Sequence, residues 1–219
     1  MIIVHHLEQS RSRRVVWMLE ELGVEYRVRR YKRDPETRLA PPELKKVHPL
    51  GKAPVIRDGD HTLAESAVIL EYLARRYGDG QWAPEPDAPN YWAFQYWMHY
   101  AEGSLMPPLL LKLVISTLRQ PPVPFLVRPI TARAADEIDR RFTDRQIELH
   151  FSHVNAHLEK QAWFAGDRIS AADIQMSFPL EAALEAGTVS AEDYPAVAAW
   201  IERIQARPAW QRAAKRAGR

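Results

Sequence analysis

The chain has 219 residues, enough for one large domain or two small ones. With 46% apolar and 26% charged residues it has the composition of a globular protein, which excludes a disordered or fibrous chain. The 30 Lys and Arg residues nearly balance the 28 Asp and Glu residues, so the formal net charge is only +2. Because there is no cysteine, disulfide bonds, cysteine-ligated zinc and a cysteine nucleophile are excluded.

The sequence shows no targeting or membrane segment. The N-terminal apolar run ends at His5 and His6 and is too short for a signal peptide. Lys112 interrupts the apolar run at 109–115, and no stretch approaches the roughly 18 residues of a membrane span. We therefore expect a cytoplasmic protein.

The first 80 residues alternate between strand and helix patterns. A short strand at 2–6 precedes a helix at 12–22, in which Val15, Leu19 and Leu22 share one face. The elements that follow are a strand, a short helix, two strands joined by a turn, and a helix, at 25–31, 43–47, 54–57, 61–64 and 66–77. This order predicts a small α/β domain with a mixed sheet over residues 1–80.

The remainder of the chain predicts only helices. Pro84, Pro86 and Pro89 mark a linker over residues 81–89. Helical patterns follow at about 90–118, 131–161, 170–186 and 193–206, with a short helix from Pro208. We expect an all-helical domain over residues 90–219. Its last 13 residues carry five basic groups and no acid, which favours a solvated tail.

Three segments of the first domain indicate binding. Pro54 precedes a strand, so the Ala53–Pro54 bond is a candidate for the cis form, with an ordinary turn as the alternative. Ser10 and Ser66 stand near predicted helix N-termini, where backbone N–H groups attract anions. Both serines are equally typical of plain helix caps.

Together these segments resemble the glutathione S-transferases. The matching stretches are SRSRRVVWMLEELGVEY, HPLGKAPVI and LAESAVILEYLARRYG, at 10–26, 48–56 and 63–78. In the second half, GDRISAADI at 166–174 resembles the family's folding motif, with Ser170 and Asp173 spaced as a capping box. The resemblance implies a thioredoxin-like N-terminal domain with a mixed four-stranded sheet, followed by an all-α C-terminal domain. It is strongest to bacterial and fungal members of the serine type.

The resemblance implies a set of glutathione-binding residues. Val55 is expected to bind the cysteinyl backbone, and Glu65 and Ser66 the γ-glutamyl ammonium and carboxylate. Lys52 is expected at the glycyl carboxylate, with Arg38 or His48 as further candidates. The complete set is Arg11, Arg14, Arg38, His48, Lys52, Ala53, Pro54, Val55, Glu65 and Ser66.

The resemblance also implies a catalytic serine. Ser10 is the first candidate to donate a hydrogen bond to the glutathione sulfur, Ser12 is the second, and backbone N–H groups alone are the third. Arg11 or Arg14 is expected to add positive potential. No metal is expected. His150, His153 and His157 share a helix face at a spacing that suits zinc or nickel, but no further ligand completes the set.

The acceptor pocket is expected on the helix at 90–118. Four side chains fall at suitable spacing, with core packing as the alternative: Tyr96, His99, Tyr100 and Ser104. We expect a homodimeric enzyme that directs the glutathione thiolate at a small hydrophobic electrophile or a peroxide. The alternatives are a non-catalytic glutathione- or ligand-binding module and a glutathione-dependent isomerase or dehalogenase. Nucleic acid is not an expected partner, because residues 1–80 carry a net charge of only +3 (15 basic, 12 acidic).

Overall fold

The computed structural model describes residues 1–217. Its N-terminal part contains four strands, β1 (Ile2–Leu7), β2 (Tyr26–Tyr31), β3 (Val55–Asp58) and β4 (His61–Ala64). Two α-helices pack with them, α1 (Ser12–Leu22) and α2 (Ser66–Tyr77), and a 3₁₀ turn spans Pro42–Lys46. Helix α1 ends at Gly23, which adopts the left-handed conformation that glycine accepts without strain.

The strands form one mixed sheet in the order β2-β1-β3-β4. Strands β1 and β2 are parallel, and β3 is antiparallel to both of its neighbours. This confirms the expected thioredoxin-like sheet. Strand β3 is an interior strand, so Val55 begins it opposite His5 and Ala64 rather than along an open sheet edge. The Ala53–Pro54 bond just before it is cis, as the resemblance predicted.

The C-terminal part is helical within the described residues. Its α-helices are α3 (Tyr91–Tyr100), α4 (Met106–Ser116), α5 (Arg128–Ile138), α6 (Asp144–Leu158), α7 (Ala171–Glu185), α8 (Pro195–Gln205) and α9 (Pro208–Ala217). A π-helical turn, Ala101–Leu105, joins α3 to α4, and a second one, Asp139–Thr143, joins α5 to α6. Residues 81–89 contain neither helix nor strand. The domain boundaries at 80 and 90 stay predictions.

The continuous helix Tyr91–Arg119 corrects one expectation from the sequence. Its 29 residues include an 18-residue window with a mean hydropathy of 1.2, so by length and composition it is able to cross a membrane. Core helices of soluble proteins meet the same criterion. This helix packs against α7 and carries Glu102 in an ion pair with two arginines.

Helix α9 corrects a second expectation, the solvated tail. Its Ala209, Ala213 and Ala217 are buried, and the helix packs against α1. Across this contact, Glu20 of α1 forms ion pairs with Arg212 and Arg216 of α9. The basic residues therefore hold the C-terminal helix on the N-terminal domain, and the remaining two residues of the predicted tail lie outside the described part of the chain.

The start of α7 contains the predicted capping box. Ser170 Oγ accepts a hydrogen bond from the Ala172 N–H, and the Asp173 carboxylate accepts one from the Ser170 N–H at 2.8 Å. The same carboxylate accepts a hydrogen bond from the Phe164 N–H at 3.0 Å. Asp173 is fully buried, and this burial raises its pKa to about 6. The Asp173 side chain thus caps the N-terminus of α7 and also binds the loop that precedes it.

We predict that Asp173→Ala lowers the free energy of unfolding by about 2–5 kcal/mol. The substitution removes a cap worth about 1 kcal/mol and leaves buried N–H donors unpaired at about 1–3 kcal/mol each. Urea unfolding measures the loss, with Asp167→Ala, an exposed carboxylate in the same loop, as the control. Equal stability of the two variants would contradict the role given to Asp173.

Candidate active site

A polar cleft of about 230 Å³ lies along the edge of the N-terminal domain. Seven of the predicted glutathione-binding residues line it: Arg11, His48, Lys52, Ala53, Pro54, Glu65 and Ser66. Leu50, Ala64 and Glu102 complete the wall. Val55 is buried directly behind Pro54. Folding therefore brings three segments that are distant in sequence to a single surface.

Glu65 has an unusual backbone conformation at this cleft. Its φ of 69° is in a region that non-glycine residues avoid at a cost of about 1–3 kcal/mol. The side chain is exposed, and within residues 1–217 it forms no hydrogen bond or ion pair. Ser66, the first residue of α2, is buried at the same helix N-terminus. A free carboxylate and a helix end with unpaired N–H groups stand side by side.

The loop between β1 and α1 contains both candidate catalytic serines. Ser12 is fully buried, and its hydroxyl lies 2.8 Å from His6 Nδ1 and 2.6 Å from Ser10 Oγ. Ser10 is partly exposed and donates to the Leu7 carbonyl at 2.6 Å. Burial lowers the pKa of His6, so its imidazole is neutral near pH 7. The three side chains form a continuous hydrogen-bonded chain from the sheet to the loop.

Glu102 connects this loop to the helical domain. Arg11 Nε donates to both of its carboxylate oxygens at 3.0 Å, and Arg14 Nη2 donates to one of them at 2.5 Å. Burial opposes ionisation of Glu102, but the charges of Arg14 and Arg11 outweigh it and lower its pKa. Sequence reasoning missed Glu102. The available signal was that it is the sole acidic residue between 91 and 119.

Arg14 does not lie in the polar cleft. Its guanidinium is buried, and it donates to the Gln175 carbonyl of α7 at 2.6 Å as well as to Glu102. Burial lowers its pKa to about 10, so it stays charged at neutral pH. Arg38 is also outside this cleft, where it donates to the side-chain carbonyl of Gln9. The structure thus separates these two arginines from the other predicted glutathione-binding residues.

A second, larger cleft of about 590 Å³ lies between the same loop and the helical domain. Its walls are mostly apolar and include Met106, Leu109 and Leu113 on one side and Phe178 on the other. Arg11 lines both clefts, and its guanidinium lies 5.1 Å from the Phe178 ring centroid. The polar cleft and this apolar cleft therefore meet at Arg11.

The structure does not bring the four predicted acceptor-binding residues to either cleft. Tyr100 is buried, and its hydroxyl lies 2.5 Å from His150 Nδ1 on α6. Tyr96 lies 3.2 Å from His153 Nε2 in the same way. His99 is exposed and Ser104 is partly exposed, and neither lines a described cleft.

The aromatic stripe of α3 and the histidine stripe of α6 pack against each other. Trp97 stacks on His153 with centroids 5.4 Å apart and lies 4.7 Å from His157. Trp97 and Tyr100 therefore belong to the core, which was the alternative to a role in acceptor binding. Among residues 1–217, no group of three His, Cys, Asp or Glu side chains is arranged to hold a metal ion.

Comparison with known proteins places the chain in a family. Residues 1–75 match the family "Glutathione S-transferase, N-terminal domain" and residues 108–208 match "Glutathione S-transferase, C-terminal domain". Glutathione S-transferase 1 of Saccharomyces cerevisiae is 36% identical over 93% of this chain and 89% of its own length. Glutathione S-transferase 3 of Schizosaccharomyces pombe is 37% identical over 99% and 88%. The chain belongs to the glutathione S-transferase family, which confirms the predicted family and a transferase with glutathione as its co-substrate.

Solved structures show the same architecture. A glutathione S-transferase from Actinobacillus pleuropneumoniae superimposes with a TM-score of 0.81 at 34% identity and covers 99% of this chain and 93% of its own. A sphingomonad glutathione S-transferase complexed with glutathione superimposes with a TM-score of 0.75 at 22% identity, covering 99% and 98%. The two-domain fold expected from the sequence is confirmed.

We predict that Glu102→Gln destabilises the protein at neutral pH by about 2 kcal/mol. This is less than the about 3–5 kcal/mol for breaking a fully buried pair, because a third of the Glu102 side chain is exposed. The lowered pKa of Glu102 means that its contribution is present above its unfolded pKa and is lost as the pH falls through the folded value.

The measurement is urea unfolding of wild type and variant at pH 7 and at about pH 3. The difference between the two proteins should narrow as the pH falls, because wild-type Glu102 becomes protonated on the way down. Glu192→Gln, an exposed glutamate of the helical domain, is the control. A difference that stays constant with pH would contradict an ionised Glu102.

Proposed function

We propose that this protein activates the thiol of glutathione at the β1–α1 loop and transfers the thiolate to an acceptor in the apolar cleft. The observation that carries this proposal is the meeting of the polar and apolar clefts at Arg11, one residue after Ser10. A tripeptide lying in the polar cleft has its sulfur near this junction. The acceptor approaches from the other side.

The groups along the polar cleft match the charges of glutathione. The free Glu65 carboxylate suits the γ-glutamyl ammonium, and the start of α2 at Ser66 suits the neighbouring carboxylate. At the other end, Lys52 and His48 suit the glycyl carboxylate. Between them, the backbone at Ala53 and Pro54, which line the cleft just before Val55, suits the cysteinyl unit. The strained φ at Glu65 supports a binding role.

Counting protons favours Ser10 over Ser12 as the group that contacts the sulfur. In one consistent arrangement, His6 Nδ1–H donates to Ser12, Ser12 donates to Ser10, and Ser10 donates to the Leu7 carbonyl. The Ser12 hydroxyl proton is then donated to Ser10 and is not available to a thiolate. The Ser10 proton, at the partly exposed end, is able to turn from Leu7 to a thiolate without breaking the rest of the chain.

The energy required is within reach of this arrangement. A thiol with a pKa of about 8.5 needs about 2.7 kcal/mol of differential stabilisation for a shift of about two units. A hydrogen bond to a charged acceptor contributes about 1.5–3 kcal/mol. The N-terminus of α1 adds about 0.3–1 kcal/mol, and Arg11 adds positive potential. No metal or general base is needed.

Other reactions begin with the same thiolate. An isomerase, a dehalogenase or an enzyme that reduces peroxides differs only in what occupies the apolar cleft. A non-catalytic module is disfavoured, because the strained Glu65 lines the polar cleft and the partly exposed Ser10 directly precedes Arg11, where the two clefts meet. We propose a cytoplasmic location, as expected from the sequence.

We predict that Ser10→Ala raises the pKa of bound glutathione by about one to two units, because one hydrogen bond to the thiolate is lost. Titration of the bound thiolate by ultraviolet absorbance measures the pKa. Ser12→Ala is the matched control. It breaks the internal hydrogen-bonded chain, so it is expected to lower the free energy of unfolding and to shift the thiol pKa less than Ser10→Ala does.

Two results would count against this assignment. An unchanged thiol pKa in Ser10→Ala would leave Ser12 or the backbone N–H groups as the activating donors. Retention on immobilised glutathione without turnover of any electrophile or peroxide would favour the binding module.

We further propose a homodimer formed through α3 and α6. Trp92 and Tyr96 of α3 are 76% and 48% exposed, and Leu149 of α6 is 62% exposed. These side chains lie on one surface, because Tyr96 contacts His153, one helical turn from Leu149. Exposed apolar groups in such an arrangement mark an interaction surface.

We predict that Leu149→Arg converts a dimer of twice 25.2 kDa to a monomer of 25.2 kDa, because it places a charge in an apolar interface. Sedimentation velocity measures the mass. Leu39→Arg, at a residue 67% exposed on a loop of the N-terminal domain, is the control and should stay dimeric. A monomeric wild type would refute the proposal.

A further inference from the structure

The apolar cleft has a charge pattern that the transfer of glutathione does not explain. Three cationic residues line it, Arg11, Arg33 and Lys112, and none of its lining residues is an acid. An enclosure that accepted only neutral hydrocarbon groups would gain nothing from these charges. The three cations differ in whether a carboxylate neutralises their charge.

Two of the cations have carboxylate partners. Arg11 is bound to Glu102. Lys112 lies 2.5 Å from Asp144 and 3.4 Å from Asp139. These carboxylates neutralise much of the positive potential that the two side chains would otherwise project into the cleft.

Arg33 is different. Its guanidinium donates only to backbone carbonyls, those of Glu8, Gln9 and Arg38, at 2.9 to 3.2 Å. In the part of the chain that the structure describes, it forms no ion pair with any carboxylate. Its five N–H donors exceed these three bonds, so donors remain for a ligand.

A second cation reinforces Arg33. Arg38 lies close by: partial burial, and then the charge of Arg38, lower the pKa of Arg33. Two neighbouring guanidinium groups favour an anion, and within residues 1–217 neither Arg33 nor Arg38 forms an ion pair. Because Arg33 lines the apolar cleft and not the polar one, this anion belongs to the acceptor rather than to glutathione.

We propose that the acceptor of this enzyme is an apolar electrophile that carries an anionic group, a carboxylate in the first instance, and that Arg33 binds this group. The apolar body packs between Leu109, Leu113 and Phe178. The inference rests on the proposed function, since it names the substrate class of the same site.

A matched pair of aryl chlorides tests the proposal, neutral chlorodinitrobenzene and anionic chlorodinitrobenzoate. In both reactions the thiol gives its proton to solvent, the thiolate sulfur forms a bond to the ring carbon, and the carbon–chlorine bond breaks with its electron pair leaving as chloride. The two differ in the carboxylate alone. The quantity compared between variants is the ratio of kcat/KM for the anionic acceptor to kcat/KM for the neutral one.

Arg33→Gln should lower this ratio roughly tenfold, the effect expected from losing one charge-assisted hydrogen bond. The loss should appear as a higher KM for the benzoate. Its kcat/KM for chlorodinitrobenzene and its KM for glutathione should stay near the wild-type values. Arg33→Lys should keep most of the ratio, because it keeps the charge. Arg27→Gln, an exposed arginine of β2, is the control and should leave the ratio unchanged.

Three outcomes would overturn the proposal. Equal losses with both acceptors in Arg33→Gln and Arg33→Lys would show that Arg33 only holds the loop. A raised KM for glutathione with both acceptors would place Arg33 at the glycyl carboxylate. An unchanged ratio in Arg33→Gln would remove the charge from recognition.

The proposed function is tested separately by wild-type turnover of chlorodinitrobenzene. If the wild type transfers glutathione to neither acceptor and turns over no other electrophile or peroxide, the proposed function fails. The Arg33 proposal is then decided by equilibrium binding of dinitrobenzoate, followed by quenching of tryptophan fluorescence. Arg33→Gln should weaken this binding roughly tenfold if the proposal holds, and equal binding would overturn it.

Discussion

The ion pairs between Glu102 and the two arginines of the β1–α1 region determine much of the site. Arg14 is 2% exposed, and a buried guanidinium without an anionic partner is strongly unfavourable. Glu102 supplies the partner from the helical domain and binds Arg11 as well. The loop that carries Ser10 is therefore held in place by a carboxylate more than 80 positions away.

Glu102 lies in the π-helical turn that joins α3 to α4. The turn Ala101–Leu105 inserts one residue into the long helix, and such insertions often occur at functional sites. Before the turn in the chain, α3 packs its aromatic face on α6. After it, Met106 and Leu109 of α4 line the apolar cleft. Within this turn, Glu102 forms the ion pairs that join the long helix to Arg11 and Arg14 of the N-terminal domain.

The sequence predicts local structure well where the signals are local. Helix α1 has the predicted bounds because Gly23 stops it, and the capping box of Ser170 and Asp173 requires only residues three apart. Most of the polar cleft was predictable through the family resemblance. Long-range partners were not, since periodicity shows which residues share a face and says nothing about what that face meets. Arg14 was expected at glutathione and instead binds α7.

The same limit explains the acceptor site. Tyr96 and Tyr100 have the spacing of a ligand-binding stripe, and the histidines of α6 have the spacing of metal ligands. The two stripes pack against each other, so the spacing of both is explained by the contact between α3 and α6. Because α3 packs on α6 in this way, the part of the long helix that lines the apolar cleft is α4, whose lining side chains are mostly apolar. They give an acceptor apolar contact but no orientation, because aliphatic contacts are not directional. In the function we propose, orientation then depends on the polar residues of the same cleft, and within residues 1–217 Arg33 is the one cationic lining residue without an ion-pair partner.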